Sequence, residues 1–142
     1  MKYVAWAAVA LGLLVVVPSS GRAQEGSRIP GVQLHRNYPN PFNPETTIPF
    51  SLPQSLWSDA GGQPVVSLRI YNILAQLVAI PILQGSGERL ENVSLQWNGT
   101  GQYSAYWDGK ILNTDREAAS GVYIYQLIVN GQAISRKMAI VK

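Results

Sequence analysis

The chain carries one histidine, His35, no cysteine and eight carboxylates among 142 residues, and these set the chemistry open to it. Nucleophilic or metal-assisted catalysis needs an activated group and its partners brought together. His35 has no second histidine or cysteine to work with, and is expected on a solvated surface. Thiolate zinc sites are excluded outright. Asp108, Asp115 and Glu117 are oxygen ligands of the type calcium takes, but they lack the ordered spacing of a calcium loop and are expected as solvated loop charges. Glu88 and Glu91 offer a carboxylate pair of the kind glycosidases use, yet they flank a turn with no pocket-forming sequence around them. No catalytic centre, metal or cofactor is expected.

Aromatic side chains are the other chemistry-bearing group. Trp57, Trp97, Trp107, Tyr103 and Tyr106 are residues of the type that stacks on sugar rings. Large aromatics also dominate small cores, so Trp97 and Trp107 are expected between the layers of the fold. Trp57 lies in a polar stretch and is the better contact residue. Asn92-Val93-Ser94 and Asn98-Gly99-Thr100 fit the glycosylation sequon, but read mainly as turn and strand material.

The elements that position these residues begin after an export signal. Lys2 precedes an apolar run of 14 residues, Val4 to Val17, and Gly21-Arg22-Ala23 presents small residues where a signal peptidase cuts. Residues 1–23 are therefore expected to be a cleaved signal peptide. The run falls short of the roughly 20 residues that span a bilayer, and no cysteine is present for a lipoprotein anchor. Loss of Lys2 and Arg22 leaves nine basic against eight acidic residues, scattered along the chain. Binding to nucleic acid or to an anionic membrane surface does not follow.

Residues 24–36 read as a flexible linker and residues 37–142 as one domain. Thirteen glycines and nine prolines suit short strands joined by turns rather than a helical bundle. Asn37 to Pro44 is a stiff proline-rich lead-in, pinned by Tyr38 and Phe42. Strands are expected at Thr46–Leu52, at an edge because of Pro49, then Val65–Ile73, Leu77–Leu83, Leu90–Trp97, Tyr103–Trp107, Gly121–Val129 and Gln132–Val141. Pro53 to Pro64 and Lys110 to Ser120 read as loops, and Asn130-Gly131 as a two-residue hairpin turn. No window has helical periodicity. About seven short strands at this spacing point to an all-β, immunoglobulin-like antiparallel sandwich.

The chain also carries a series of motifs in order. Asn37-Tyr38-Pro39-Asn40-Pro41-Phe42-Asn43-Pro44 runs into Thr46-Thr47-Ile48 and Phe50-Ser51-Leu52-Pro53. Leu68-Arg69-Ile70-Tyr71-Asn72 follows, then Trp107-Asp108-Gly109, Ser120-Gly121-Val122-Tyr123 and Lys137-Met138-Ala139-Ile140-Val141-Lys142. From about Leu34 to Lys142 this resembles the type A C-terminal sorting domain of the type IX secretion system, and it is similar to the immunoglobulin-like domain of the flagellar hook-capping protein. The resemblance implies a β-sandwich exported to the periplasm and then recognised by an outer-membrane secretion translocon, ending at the cell surface or in the medium. Any membrane association would come through export or surface attachment, and no small-molecule substrate is implied.

On that resemblance Gly121, Tyr123, Lys137 and Lys142 are the candidate recognition residues. Asn40, Pro41, Phe42, Trp107, Asp108 and Gly109 form the structural motif. Two departures stand out: Ala75 occupies a place where the family has glycine, and Asn98 to Tyr106 lengthens the segment before Trp107. Only about ten residues separate the signal from the domain, where the family carries a long cargo. A hook-capping or adhesin-like structural module and a carbohydrate-binding module are the alternative readings, and periplasmic retention fits the former.

Overall fold

The computed structural model describes residues 29–58 and 62–142. The expected signal peptide, and the linker up to residue 28, lie outside the described residues. Two antiparallel sheets pack face to face. One holds β1 (Gln33–Leu34), β2 (Thr46–Ser51), β7 (Gln102–Trp107) and β5 (Ile82–Leu83), in the order β1-β2-β7-β5. The other holds β3 (Val65–Asn72), β4 (Leu77–Ala79), β8 (Gly121–Val129) and β9 (Gln132–Ile140), in the order β4-β3-β8-β9, with β6 (Val93–Ser94) against the start of β3. In chain order this is the ABED and C′CFG arrangement of the immunoglobulin-like sandwich.

Alternation builds the core. Val66, Leu68 and Ile70 of β3 face inward against Tyr123, Tyr125, Leu127 and Val129 of β8, and Ile48, Phe50, Ala105 and Trp107 close from the other sheet. The β8–β9 hairpin turns on Asn130 and Gly131, both at positive φ (47° and 83°), the geometry of a type I′ turn.

Several elements differ from expectation, each for a local reason. The Leu77–Leu83 run is not one strand. β4 pairs with β3, the chain crosses between sheets at Ile80-Pro81, and β5 pairs with β7. Pro81 ends the ladder because it has no amide to donate. The Leu90–Trp97 run buries Leu90, Val93 and Leu95, but only two of its residues pair as strand. One helical turn, α1 (Ser55–Ser58), stands inside the expected Pro53–Pro64 loop. Val32 and Leu34, placed in the linker, are buried, and β1 pairs with β2, so the sandwich starts before residue 37.

β2 is flanked on both sides rather than lying at an edge. Pro49 is tolerated there because its backbone groups point toward β1, not toward β7. Gln33 pairs with Ser51 and Leu34 with Phe50, so His35 stands opposite Pro49. His35 donates its amide to the Pro49 carbonyl (3.0 Å). Proline cannot return the bond, and the His35 carbonyl instead accepts from the Tyr125 hydroxyl at 2.8 Å. The same hydroxyl accepts from the Asn37 amide (3.2 Å). Tyr125 is fully buried, and burial raises its phenol pKa, with the Asn37 amide and the nearby Arg136 and Arg36 pulling the other way.

Candidate functional site

The motif residues gather at one end of the sandwich, around Trp107. Trp107 ends β7 and is 3% exposed. Phe42 meets it edge-on (centroids 5.5 Å) and so does Tyr123 (5.9 Å), the arrangement that opposes positive ring edges to negative faces. Its indole N–H donates to the Lys110 carbonyl at 2.9 Å, so the polar end of the ring is satisfied. Asp108 shapes the turn that makes this possible, its carboxylate accepting from the Lys110 amide at 3.0 Å.

Gly109 completes the turn at φ +84°, and a Cβ there would collide with the Pro44 carbonyl oxygen. Only glycine lets the proline-rich segment lie this close. That segment then crosses to the other sheet, with three cis X-Pro bonds, at Pro39, Pro41 and Pro44. Phe42 donates to the Ala139 carbonyl (3.0 Å) and accepts from the Val141 amide (3.2 Å). Asn40 adds its side-chain oxygen as acceptor for the Ala139 amide (3.2 Å). Pro41 is exposed beside this clasp.

Gly121 and Tyr123 lie at the start of β8. Gly121 takes φ +153°, a value that favours glycine. The Tyr123 hydroxyl donates to the carbonyl of Ala119, four residues upstream (2.7 Å), which is the tyrosine corner of immunoglobulin-like folds. Tyr123 is buried, so its ring serves the corner and the Trp107 pocket. Lys142 closes the same end: its ammonium pairs with Glu117 (2.9 Å), and its amide donates to Ser120 Oγ (3.1 Å). The pairing lowers the Glu117 pKa. Lys137 stands apart, exposed on the outer face of the sheet opposite Ile124.

An open cleft of about 190 Å³ adjoins Trp107, floored by Ile80, Pro81 and Leu112 and rimmed by Arg89 and Lys110. It holds no nucleophile with a base beside it. Tyr106 also lines it, and its hydroxyl donates to Glu45, a bond to a carboxylate that raises the phenol pKa to about 12. No cluster of three or more metal-ligating side chains occurs among the described residues.

Trp57, Trp97 and Tyr103 form a second aromatic group at the far end. Trp57 meets Trp97 edge-on (5.0 Å) and lies near-parallel to Tyr103 (6.3 Å). Trp97, expected between the sheets, is half-buried beside Trp57 instead. Trp57 donates its indole N–H to the Leu95 carbonyl (2.9 Å) and Tyr103 its hydroxyl to the Gln96 carbonyl (2.6 Å). Burial raises the Tyr103 pKa. His35 is half-buried, with Nε2 2.8 Å from Ser51 Oγ.

Sequence reasoning missed the Glu117–Lys142 pair and the Tyr125–His35–Asn37 set. Pro49 was the available signal for the latter, since a proline inside a strand leaves a facing carbonyl to be satisfied. No helix among the described residues is long and apolar enough to cross a membrane. No protein-family model matches the chain, and no curated protein does. Among solved structures, the DNA glycosylase AlkC of Pseudomonas fluorescens, bound to DNA containing an abasic site analog, is similar at a TM-score of 0.48 and 15% identity, over 79% of this chain and 31% of that one. The chain thus spans under a third of that protein's length, and the likeness carries no inference about function.

Proposed function

We propose that this chain is a non-catalytic, exported β-sandwich module that serves as a sorting domain of the type IX kind, recognised by an outer-membrane secretion translocon and carried to the cell surface or medium. The observation that carries the reading is convergence. Motifs scattered from Asn40 to Lys142 meet around Trp107, with Asn40 and Phe42 clasping Ala139 and Val141 beside the Gly121–Tyr123 corner. On this reading Phe42, Trp107, Asp108, Gly109 and Tyr123 are scaffold, and Lys137 and Lys142 offer the charged contacts to the partner. The reading requires neither a cofactor nor a small-molecule substrate.

The test is expression in a type IX-competent bacterium and in a translocon-deleted sibling, with the protein quantified in periplasm, surface and medium. Outward movement only in the competent strain is the expected result. Lys137→Glu with Lys142→Glu should reduce it while leaving the fold intact. Equal retention in both periplasms would remove the export reading and leave a structural module of the hook-capping or adhesin kind.

A further inference from the structure

We infer that the outer edge of β9, from Ala133 to Lys137, is a docking edge for an acidic, extended peptide segment, which adds to the sheet as a further strand. The backbone parity carries the first part. The two-residue turn makes Val129 and Gln132 a hydrogen-bonded pair. The alternation then bonds Ile134, Arg136 and Met138 to β8 and turns the amides and carbonyls of Ala133, Ser135, Lys137 and Ala139 outward. Phe42 and Asn40 confirm the parity, because both bond outward-facing groups of Ala139. They also end the free edge there, and the hairpin turn ends it at the other side. Among the described residues, the outward groups of Ala133, Ser135 and Lys137 have no partner. A strand added here gains about one bond per outward group in the manner of β-augmentation.

Charge selects the occupant. Arg36, Arg136 and Lys137 are all exposed along this side of the sandwich, and Arg136 reaches across to the Leu34 carbonyl (3.2 Å). β1, β8 and β9 contain no aspartate or glutamate, and none of the three cations has an ion-pair partner among the described residues. A second copy pairing antiparallel about Ser135 would bring six such cations together with no acid among them. An acidic strand would place carboxylates opposite them. Ala133 and Ser135 are small enough to leave its side chains room on the outer face.

This inference goes beyond the export reading, and the two fail separately: export is read in cells, strand addition on purified protein. The ¹⁵N-labelled full chain is titrated with a blocked nine-residue peptide alternating glutamate and threonine, with a lysine-for-glutamate peptide as control. The amides of Ala133, Ser135 and Lys137 should slow in hydrogen exchange by at least about tenfold, while those of Ile134 and Arg136, already bonded to β8, stay unchanged. Ser135→Pro should abolish binding without lowering Tm, since it removes only an outward donor. Lys137→Glu should weaken binding at least about tenfold, and added salt should do the same. Absence of binding, binding that leaves those three amides unprotected, or protection that grows with protein concentration in the absence of peptide would each overturn it, the last by giving the edge to a second copy.

Discussion

Tyr125→Phe removes one oxygen, and the cost follows from what that oxygen serves. The hydroxyl donates to the His35 carbonyl and accepts from the Asn37 amide. Phenylalanine keeps the ring packing but leaves both backbone groups unmatched, at about 1–3 kcal/mol for each buried polar group left unpaired. The expected loss is about 3 kcal/mol, a large part of a typical domain's stability. The decisive comparison is the same change in a Pro49→Ala background. Alanine at that position has an amide, and it faces the His35 carbonyl across the β1–β2 ladder. In that background only the Asn37 amide is orphaned, so the loss should shrink by about 1–1.5 kcal/mol, well above the few tenths by which independent sites depart from additivity. Urea unfolding of the four proteins, read by tyrosine and tryptophan fluorescence, gives the cycle, with an unchanged m-value required. Equal losses in the two backgrounds would refute the idea that Tyr125 stands in for the donor that Pro49 lacks.

Gly109→Ala should be among the most damaging small substitutions: positive φ costs about 1–2 kcal/mol, and collision with the Pro44 carbonyl adds to it, so a lowered Tm should come with loss of the Trp107 near-ultraviolet signal. Ala75→Gly should do the reverse. Ala75 sits at φ +62° in a turn held by the Asn72 side chain, which accepts from the Leu74 and Gln76 amides. Relief of the left-handed alanine, less the greater freedom glycine has when unfolded, should stabilise by about 0.5–1 kcal/mol, visible as a rise in Tm of a few degrees. Tyr106 should titrate near pH 12, followed by absorbance at 295 nm, and Glu45→Gln should return it toward the ordinary value of 10.0. Because its folded pKa is raised, the stabilising bond to Glu45 is fully present below pH 10 and lost as pH rises through about 12.

The strongest strands were legible because alternation and turn chemistry agreed. Val66, Leu68 and Ile70 share one face, and Asn130-Gly131 fixes the hairpin that sets the β9 register. Trp107 was legible as core because it is large, apolar-bodied and followed by a turn that can satisfy its N–H. What escaped depended on distant partners. β1 has two residues and exists only because β2 lies beside it. The crossing at Ile80-Pro81 is invisible to periodicity, since both halves of the Leu77–Leu83 run are apolar. Trp97 carries no sign of which end of the sandwich takes it. His35 and Tyr125 are 90 positions apart, so the bond between them has no local signature. The site was readable as a set of motifs, but its convergence needed the clasp between Phe42 and Ala139, which only the folded sheet order brings about.

That clasp is also among the last contacts the sandwich can make as the chain emerges. Asn40 and Ala139 are 99 positions apart, so the clasp, unlike the local bridge between Tyr38 and Thr47, cannot form until nearly all of the later strands have emerged. During synthesis β2 appears early but lacks the pairing with β7 that completes its sheet. The Trp107 pocket likewise lacks the β9 end that holds Phe42 across it. Long-range closure of this kind slows folding. This end of the sandwich is thereby completed only when residues 139–141 arrive to take hold of Phe42.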